Sequence, residues 1–568
     1  MMRMSRLLVV ALLLAACRSK PPPRPGSEVR VLQLESLPPE LGERGLLGVS
    51  RPSHRGVLER LYSIAKEKEV GGLLLQIGGL GGAWARVAEL REALAVVRKA
   101  HKPVHCHFET TDNAGYSLLA SSCDRISIAP AGMLELVGVS AEAFYAHKLL
   151  QNLGLDADVI QVGDYKGAAD PLTRDDMPQE VRQTMNALLD DLQATLIAAV
   201  SQRGFKASDA QALIDRGPFT SDDARRERLV DAVEFGDAAR SAAKAAVKAD
   251  TLTDERLEPE RAAVGVFDLI RALFGSAEKS HPSGPRLALA YLEGTIVRGG
   301  ASSLRGGQAE AFVRGMHELR DDQDVRAVVL RIDSPGGSAL AADLMWHAIR
   351  ELAGRKPVIV SIGDLCASGG YYVASAGTEI MADDDSIVGS IGIVGGKLVV
   401  RDLADRVGLH LEPLVRGKHA GWSNSARPFT PEERENFSRA LHQGYARFID
   451  RIAEGRGMRP SEIEPLAEGR LMSARRARAG RLIDAQGGLV AAIAEARKRG
   501  KLETSAPIQI WPEKPGLLQA LAAATSGADA ESALLRHFAH TERTGMLELL
   551  LSGDETEAAV LPFALSFR

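Results

Sequence analysis

Residues 355–375, RKPVIVSIGDLCASGGYYVAS, repeat the pattern of residues 101–121, HKPVHCHFETTDNAGYSLLAS, 254 positions earlier. The segment RAVVLRIDSPGG (326–337) likewise answers GGLLLQIGGLGG (71–82), with Gly336-Gly337 standing 255 positions after Gly81-Gly82. RLALAYLEGTI (286–296) echoes VRVLQLESL (29–37). A shift this constant over roughly a hundred residues marks a duplicated fold. Each copy reads as apolar strands alternating with amphipathic helices, which predicts α/β architecture with parallel strands. Two homologous tandem domains follow, each of about 200 residues, a usual domain size.

The copies differ where chemistry is expected. Ser368 sits at a strand-to-helix corner followed by Gly369 and Gly370, and 254 positions earlier the first copy has Ala114. Downstream the pattern reverses, because Lys166 of the first copy falls opposite Ala420 of the second. Complementary losses point to one site shared by the two domains. A serine hydroxyl needs a neighbouring base to become a nucleophile, and a lysine can be that base once desolvation keeps it neutral. Acyl transfer also needs oxyanion donors. The candidates are the N–H of Gly369 and one from Gly336 or Gly337 in the Ser-Pro-Gly-Gly loop. Lys418 is read as an exposed loop lysine, and Cys366 as a small buried core residue.

Several function classes are excluded. A net charge of −4 without a long basic run argues against nucleic acid. No Walker or dinucleotide glycine pattern follows a suitable strand, so no nucleotide cofactor is expected. His101, His105 and His107 are read as ordinary strand residues rather than metal ligands, and Asp383–Asp385 as a solvated turn. No metal and no cofactor is expected. Four cysteines are too few for a disulfide scaffold. An exported chain could join Cys106 to Cys123, but they fall on different elements, so the unpaired reading is favoured and their approach is left open by the sequence. The helical pattern of residues 264–275 is read as a packed helix.

The N-terminus reads as a targeting segment. Arg3 and Arg6 precede an apolar stretch from Leu7 to Ala16, too short to span a bilayer. It ends Leu14-Ala15-Ala16-Cys17, similar to a bacterial lipobox, so Cys17 is the expected lipidation site. The expected organisation is a signal peptide (1–16), a lipidated Cys17 with a proline-rich linker (17–28), and a first domain over 29–250. A connecting segment (251–284), a second domain (285–500) and a helical C-terminal extension (501–568) follow.

IDSPGG, ASGGYYVAS, VGSIGI and GDYK…P…RDDM together resemble the signal peptide peptidase A family, SppA, in its tandem-domain form, over residues 29–500. The resemblance implies Clp-protease/crotonase-like domains built from repeated ββα units and assembled as a homotetramer. It also implies a serine nucleophile at Ser368, a lysine base at Lys166, and Ser390 positioning that lysine. The implied activity is a membrane-associated endopeptidase degrading cleaved signal peptides and other extended apolar peptides. The implied setting is the bacterial cell envelope, with a lipid anchor facing the periplasm. The chain departs from many relatives in having a lipobox in place of a spanning helix. A silent peptide-binding scaffold is the alternative. An acyl-CoA enzyme of the same fold is the weaker rival, because the export signal separates the chain from CoA thioesters.

Overall fold

The computed structural model describes residues 24–44, 50–255, 257, 283–299, 307–512 and 557–559. In the first domain β1 (Glu28–Leu34), β2 (Val70–Ile77), β3 (Val104–Thr111) and β4 (Arg125–Leu134) pair in that order, all parallel. Helices α1 (His54–Lys66), α2 (Trp84–Lys99) and α3 (Asn113–Ser122) connect them. Both faces of the sheet are covered, which is why β2 reads as a nearly unbroken apolar run. The chain then forms β5 (Asp156–Val162), α4 (Gln179–Ser201) and β6 (Thr251–Asp254), the last parallel to β1.

The second domain repeats the plan. It opens with β7 (Arg286–Glu293), α5 (Ala309–Asp321), β8 (Val325–Ser334), the two-residue β9 (Gly337–Ser338) and α6 (Ala339–Ala353). Next come β10 (Val358–Ala367), α7 (Gly369–Ala374), β11 (Ile387–Gly389), β12 (Ile393–Val399), α8 (Pro431–Arg456) and β13 (Leu471–Ser473). β7, β8 and β10 are parallel neighbours, and β14 (Ile508–Trp511) adds in parallel beside β7. The sheets therefore run one strand past the boundaries expected at 250 and 500. Four-residue strands such as TLTD and IQIW carry too few alternations to stand out in a sequence.

The repeated Lys-Pro-Val has a structural cause. Lys102 Nζ donates to the carbonyls of Ile64 (2.5 Å) and Glu67 at the end of α1. Lys356 Nζ does the same to Leu319 (2.6 Å) and Asp322 at the end of α5. A cation on the orphan carbonyls of a helix C-terminus satisfies them and complements the helix dipole. Tyr116 and Tyr371 repeat in the same way, each donating its hydroxyl to a leucine carbonyl (Leu229, Leu482) at 2.7 Å.

Three expectations are corrected. Cys106 and Cys123 form a disulfide, with Cα atoms 5.9 Å apart. The ten residues of α3 climb about 15 Å at 1.5 Å each. That retraces the strand from Thr111 to near the level of Cys106, so separate elements bring the two sulfurs together. Asp383 and Asp385 are buried, not solvated; Asp385 accepts from Thr195 Oγ1 at 2.7 Å, and burial raises both carboxyl pKa values. The turn is covered by α4 of the other domain, a contact no local pattern encodes. His101 lies in the turn before β3, whereas His105 and His107 are buried within that strand.

The two domains interlock. β5 of the first pairs antiparallel with β12 of the second, from Val162↔Ile393 to Asp156↔Val399. Val162 packs in the second domain's core, while Ala367, Ile387 and Leu471 pack in the first domain's. Arg331, fully buried in β8, donates to Glu40 and Glu89 of the first domain at 2.6 and 2.8 Å. No helix among the described residues is long and apolar enough to cross a membrane. Cys17, the pattern at 264–275 and those around 517–524, 530–538 and 546–551 lie outside the described residues.

Candidate active site

Two chain reversals build the site, one from each domain. β10 delivers Ser368 to its end, and α7 begins at once with Gly369. The corner is sharp, with Ser368 at φ 54° and ψ −118°, a conformation costly to a residue with a Cβ. It is tied down by the Ser368 N–H, which donates to Gly389 O of β11 at 2.7 Å.

β5 ends at Val162, and the following loop turns Lys166 into the same place. Tyr165 N–H donates to Glu468 O at 2.8 Å, and the Arg470 guanidinium stacks over the Tyr165 ring at 3.4 Å. Gly469 lies against the lysine backbone so closely that a Cβ there would sit 2.4 Å from Lys166 N. The 468–470 segment, which carries no motif, is thus the clamp on the lysine loop. Sequence reasoning missed it.

The two side chains meet. Lys166 Nζ lies 2.7 Å from Ser368 Oγ, 2.9 Å from Ser390 Oγ and 2.9 Å from Ser390 O. All three residues are fully buried. The lysine's hydrogen-bond partners are neutral oxygens, and burial lowers its pKa well below that of a free lysine. Ser390, like Ser368, has positive φ (52°). Its N–H donates to Arg470 O at 2.6 Å, so the clamp segment also sets the residue that touches the lysine. The main-chain carbonyl of Ser390 is a contact the sequence did not signal.

The expected oxyanion glycines separate. Gly336 N–H donates to Ser334 Oγ at 3.2 Å, and in the first copy Gly81 N–H donates to Asp112 Oδ2 at 2.7 Å. This loop N–H is a structural brace in both copies, which removes Gly336 from the expected role. Gly337 remains beside it, packed where a Cβ would meet Ile296 O at 1.9 Å. Gly369 differs from its counterpart in the useful direction. Gly115 N–H is capped by Asp112 Oδ1 at 2.8 Å, whereas α7 has no side-chain cap. The first turn of α7 therefore presents uncapped donors beside Ser368.

The remaining candidates sort readily. Ala114, in the serine's place, is buried in the first domain's core. Lys418 is exposed and pairs with Glu432 at 2.5 Å. Cys366 is buried, and burial pushes its thiol pKa well up, which removes the thiolate a nucleophile requires.

Against known proteins, the profile of peptidase family S49 matches twice, over residues 97–250 and 350–503. The chain belongs to peptidase family S49. With that membership it is a serine protease in tandem-domain form, and the two matches reproduce the internal repeat. Among its relatives is a protein named Serine protease SPPA, chloroplastic, of Arabidopsis thaliana. It is 28% identical over 491 residues, covering 84% of this chain and 70% of the relative. Protease 4 of Salmonella typhi is 28% identical over 464 residues (79% and 72%), and Protease 4 of Haemophilus influenzae is 27% identical over 418 (71% and 66%).

Proposed function

We propose that this S49 protease is a membrane-associated endopeptidase of the bacterial cell envelope. It degrades extended apolar peptides, already cleaved signal peptides among them, through a dyad of Ser368 and Lys166. One observation carries the reading: a buried lysine of one repeat within 2.7 Å of a buried serine of the other, each replaced by alanine in the opposite copy.

In the first step Ser368 Oγ attacks the peptide carbonyl carbon while its proton passes to the neutral amine of Lys166. The carbonyl oxygen becomes an oxyanion, stabilised by the N–H groups of Gly369 and Gly337. As the tetrahedral intermediate collapses, the C–N bond breaks and Lys166 returns the proton to the leaving amine. Water then attacks the acyl-enzyme while losing a proton to Lys166, the ester bond to Ser368 Oγ breaks, and Lys166 returns the proton to that oxygen as the new carboxyl end leaves. Ser390 holds the lysine along the serine's direction through both its hydroxyl and its carbonyl.

The envelope setting rests on the leader of residues 1–16, which places Cys17 at the expected lipid-anchor position. The Cys106–Cys123 disulfide fits an oxidising compartment. A homotetramer is supported by apolar residues left exposed where the domains meet. Leu149, Leu153, Val407 and Leu409 stay exposed around the point where Leu403 N–H donates to Gly154 O. Sedimentation of the mature protein reads that assembly directly.

The dyad is tested by Ser368→Ala and Lys166→Ala, each assayed for hydrolysis of an apolar peptide. Both lower kcat by at least about a thousandfold, as for removal of a nucleophile or its base. Wild-type turnover in either variant would eliminate the dyad.

A further inference from the structure

Asp364 lies in β10, four residues before Ser368, and its side chain reaches out of its own domain. Its Oδ1 accepts from the N–H groups of Ala85 and Arg86 at 3.1 and 3.2 Å, and its Oδ2 accepts from Arg86 Nε. Ala85 and Arg86 are the second and third residues of α2, in the first domain. Their N–H groups are the donors that a helix's own N-cap side chain would take. The residue in that place is Ala83, and α2 has no side-chain cap of its own. The second copy is capped locally, because Ser338 accepts from Ala341 N–H at 3.1 Å in front of α6.

Set against the repeat, these differences are complementary, as they are for the dyad. Ala83 stands 255 positions before Ser338, the same offset as the neighbouring glycine pairs, so the first copy lacks the local cap. Thr110 stands 254 positions before Asp364 and is exposed. Only the copy with the serine carries the carboxylate.

Asp364 also sits where β10 is least regular. Ile362 pairs with Ile332 and Cys366 with Ser334, so β10 fits three residues against the single Asp333 of β8. Three ties hold this bulge. Ser386 Oγ donates to Gly363 O at 2.7 Å, Leu365 N–H donates to Asp333 Oδ1 at 3.1 Å, and Asp364 binds α2. Of the three, the last alone reaches the other domain. A bulge re-aims the residues that follow it, and the strained backbone of Ser368 persists only while its surroundings fix it. We infer that Asp364 is a positioning residue for hydrolysis. Through the N-terminus of α2 it fixes the end of β10, and with it the direction of Ser368 Oγ toward Lys166. The first domain thus holds the base and also the post against which the nucleophile is aimed. This rests on reading Ser368 as the nucleophile.

The test uses the full-length chain, assayed well below the Tm of every variant. Asp364→Ala is expected to lower kcat by about tenfold to a hundredfold, as a misaimed reacting group does, with KM changed by less than about twofold. Acylation of Ser368 by a small serine-directed probe, followed by mass spectrometry, slows by the same factor. Asp364→Asn keeps an oxygen for both N–H groups, is an equivalent cap, and returns kcat to within about threefold of wild type. The midpoint of the acid limb in the pH profile stays in place, because Asp364 does not touch Lys166.

Ala83→Ser, added to Asp364→Ala, separates aiming from stability. It gives α2 a local cap of the kind Ser338 gives α6, which raises the Tm by about 2–4 °C and leaves kcat low. Wild-type kcat or an unslowed labelling rate in Asp364→Ala would overturn the positioning role. Full recovery of kcat in the double variant would overturn it as well, since a cap alone would then suffice. Should the Tm of the double variant stay low, the low kcat of folded Asp364→Ala and its return in Asp364→Asn decide the matter in the same sense. Hydrolysis retained by Ser368→Ala would instead remove the nucleophile itself. Ser368 labelled equally fast with and without Asp364 would remove only its positioning.

Discussion

Among the described residues Lys166 has no charge partner, and it is fully buried, which suits a base and burdens the fold. Burial lowers its pKa, so the folded chain holds fewer protons than the unfolded chain between that depressed value and the ordinary 10.5. Stability from this group is therefore greatest above 10.5, falls as the pH drops toward the depressed value, and is flat below it. With Lys166 as the proposed base, activity is expected to run the same way, with an acid limb whose midpoint lies below 10.5, because only a neutral amine accepts the serine proton. Lys166→Met is expected to abolish hydrolysis and raise the Tm at pH 7, by about 2–4 °C for each kcal/mol recovered. Thermal melts between pH 6 and 10 check the sign. Lys166→Arg is inactive across the same range, since a guanidinium stays protonated. Ser368 carries a second burden in its positive φ. Ser368→Gly should be more stable than Ser368→Ala by about 1 kcal/mol, the lower end of what such backbone strain costs.

At the scale of elements, the repeat made most of the fold legible. Lys-Pro-Val, the glycine corners and the apolar strands are local patterns, and each serves the same local purpose in both copies. The pairing of Ser368 with Lys166 was legible for a different reason, because a loss in one copy is visible only against retention in the other. Contacts that join the domains left no such trace. Arg331 shows only as a charge inside the apolar strand RAVVLRID, and nothing nearby in the sequence names Glu40 or Glu89 as its partners. The clamp at 468–470 and the burial of Asp383 and Asp385 are equally non-local. Breaking the Arg331 cluster from one side removes the cation shared by two buried carboxylates and leaves Glu89 with only His54 and the Leu489 N–H, so Arg331→Met is expected to cost about 3–5 kcal/mol. Urea unfolding measures it. The disulfide is likewise an element-scale brace. Opening its loop, a separation of 17 residues, should cost about 3 kcal/mol, read as a lower Tm in reducing buffer.

Across the whole molecule, the proposed dyad gives two domains of one design a single shared centre. A serine-directed acylating probe is therefore expected to label one residue per chain, Ser368, with label and position read by mass spectrometry of intact and digested protein. Two labels per chain would contradict the division of roles between the copies. The difference between the first turns of α3 and α7 carries this further. In α3 an aspartate permanently satisfies the N–H of Gly115, as in an ordinary capped helix. In α7 the matching donor has no such cap, and the helix gives up the roughly 1 kcal/mol a cap supplies. On the proposed dyad, a second site is thus blocked three times, by the missing hydroxyl at Ala114, by the resident Asp112 carboxylate and by Ala420 in the lysine's place. Ala114→Ser restores only the hydroxyl, and such a variant should still take up a single label. For protein engineering, a second centre then needs a base to replace the one lost at Ala420 and an Asp112 that no longer holds the Gly115 N–H, and exchanging the serine is the lesser part of that work.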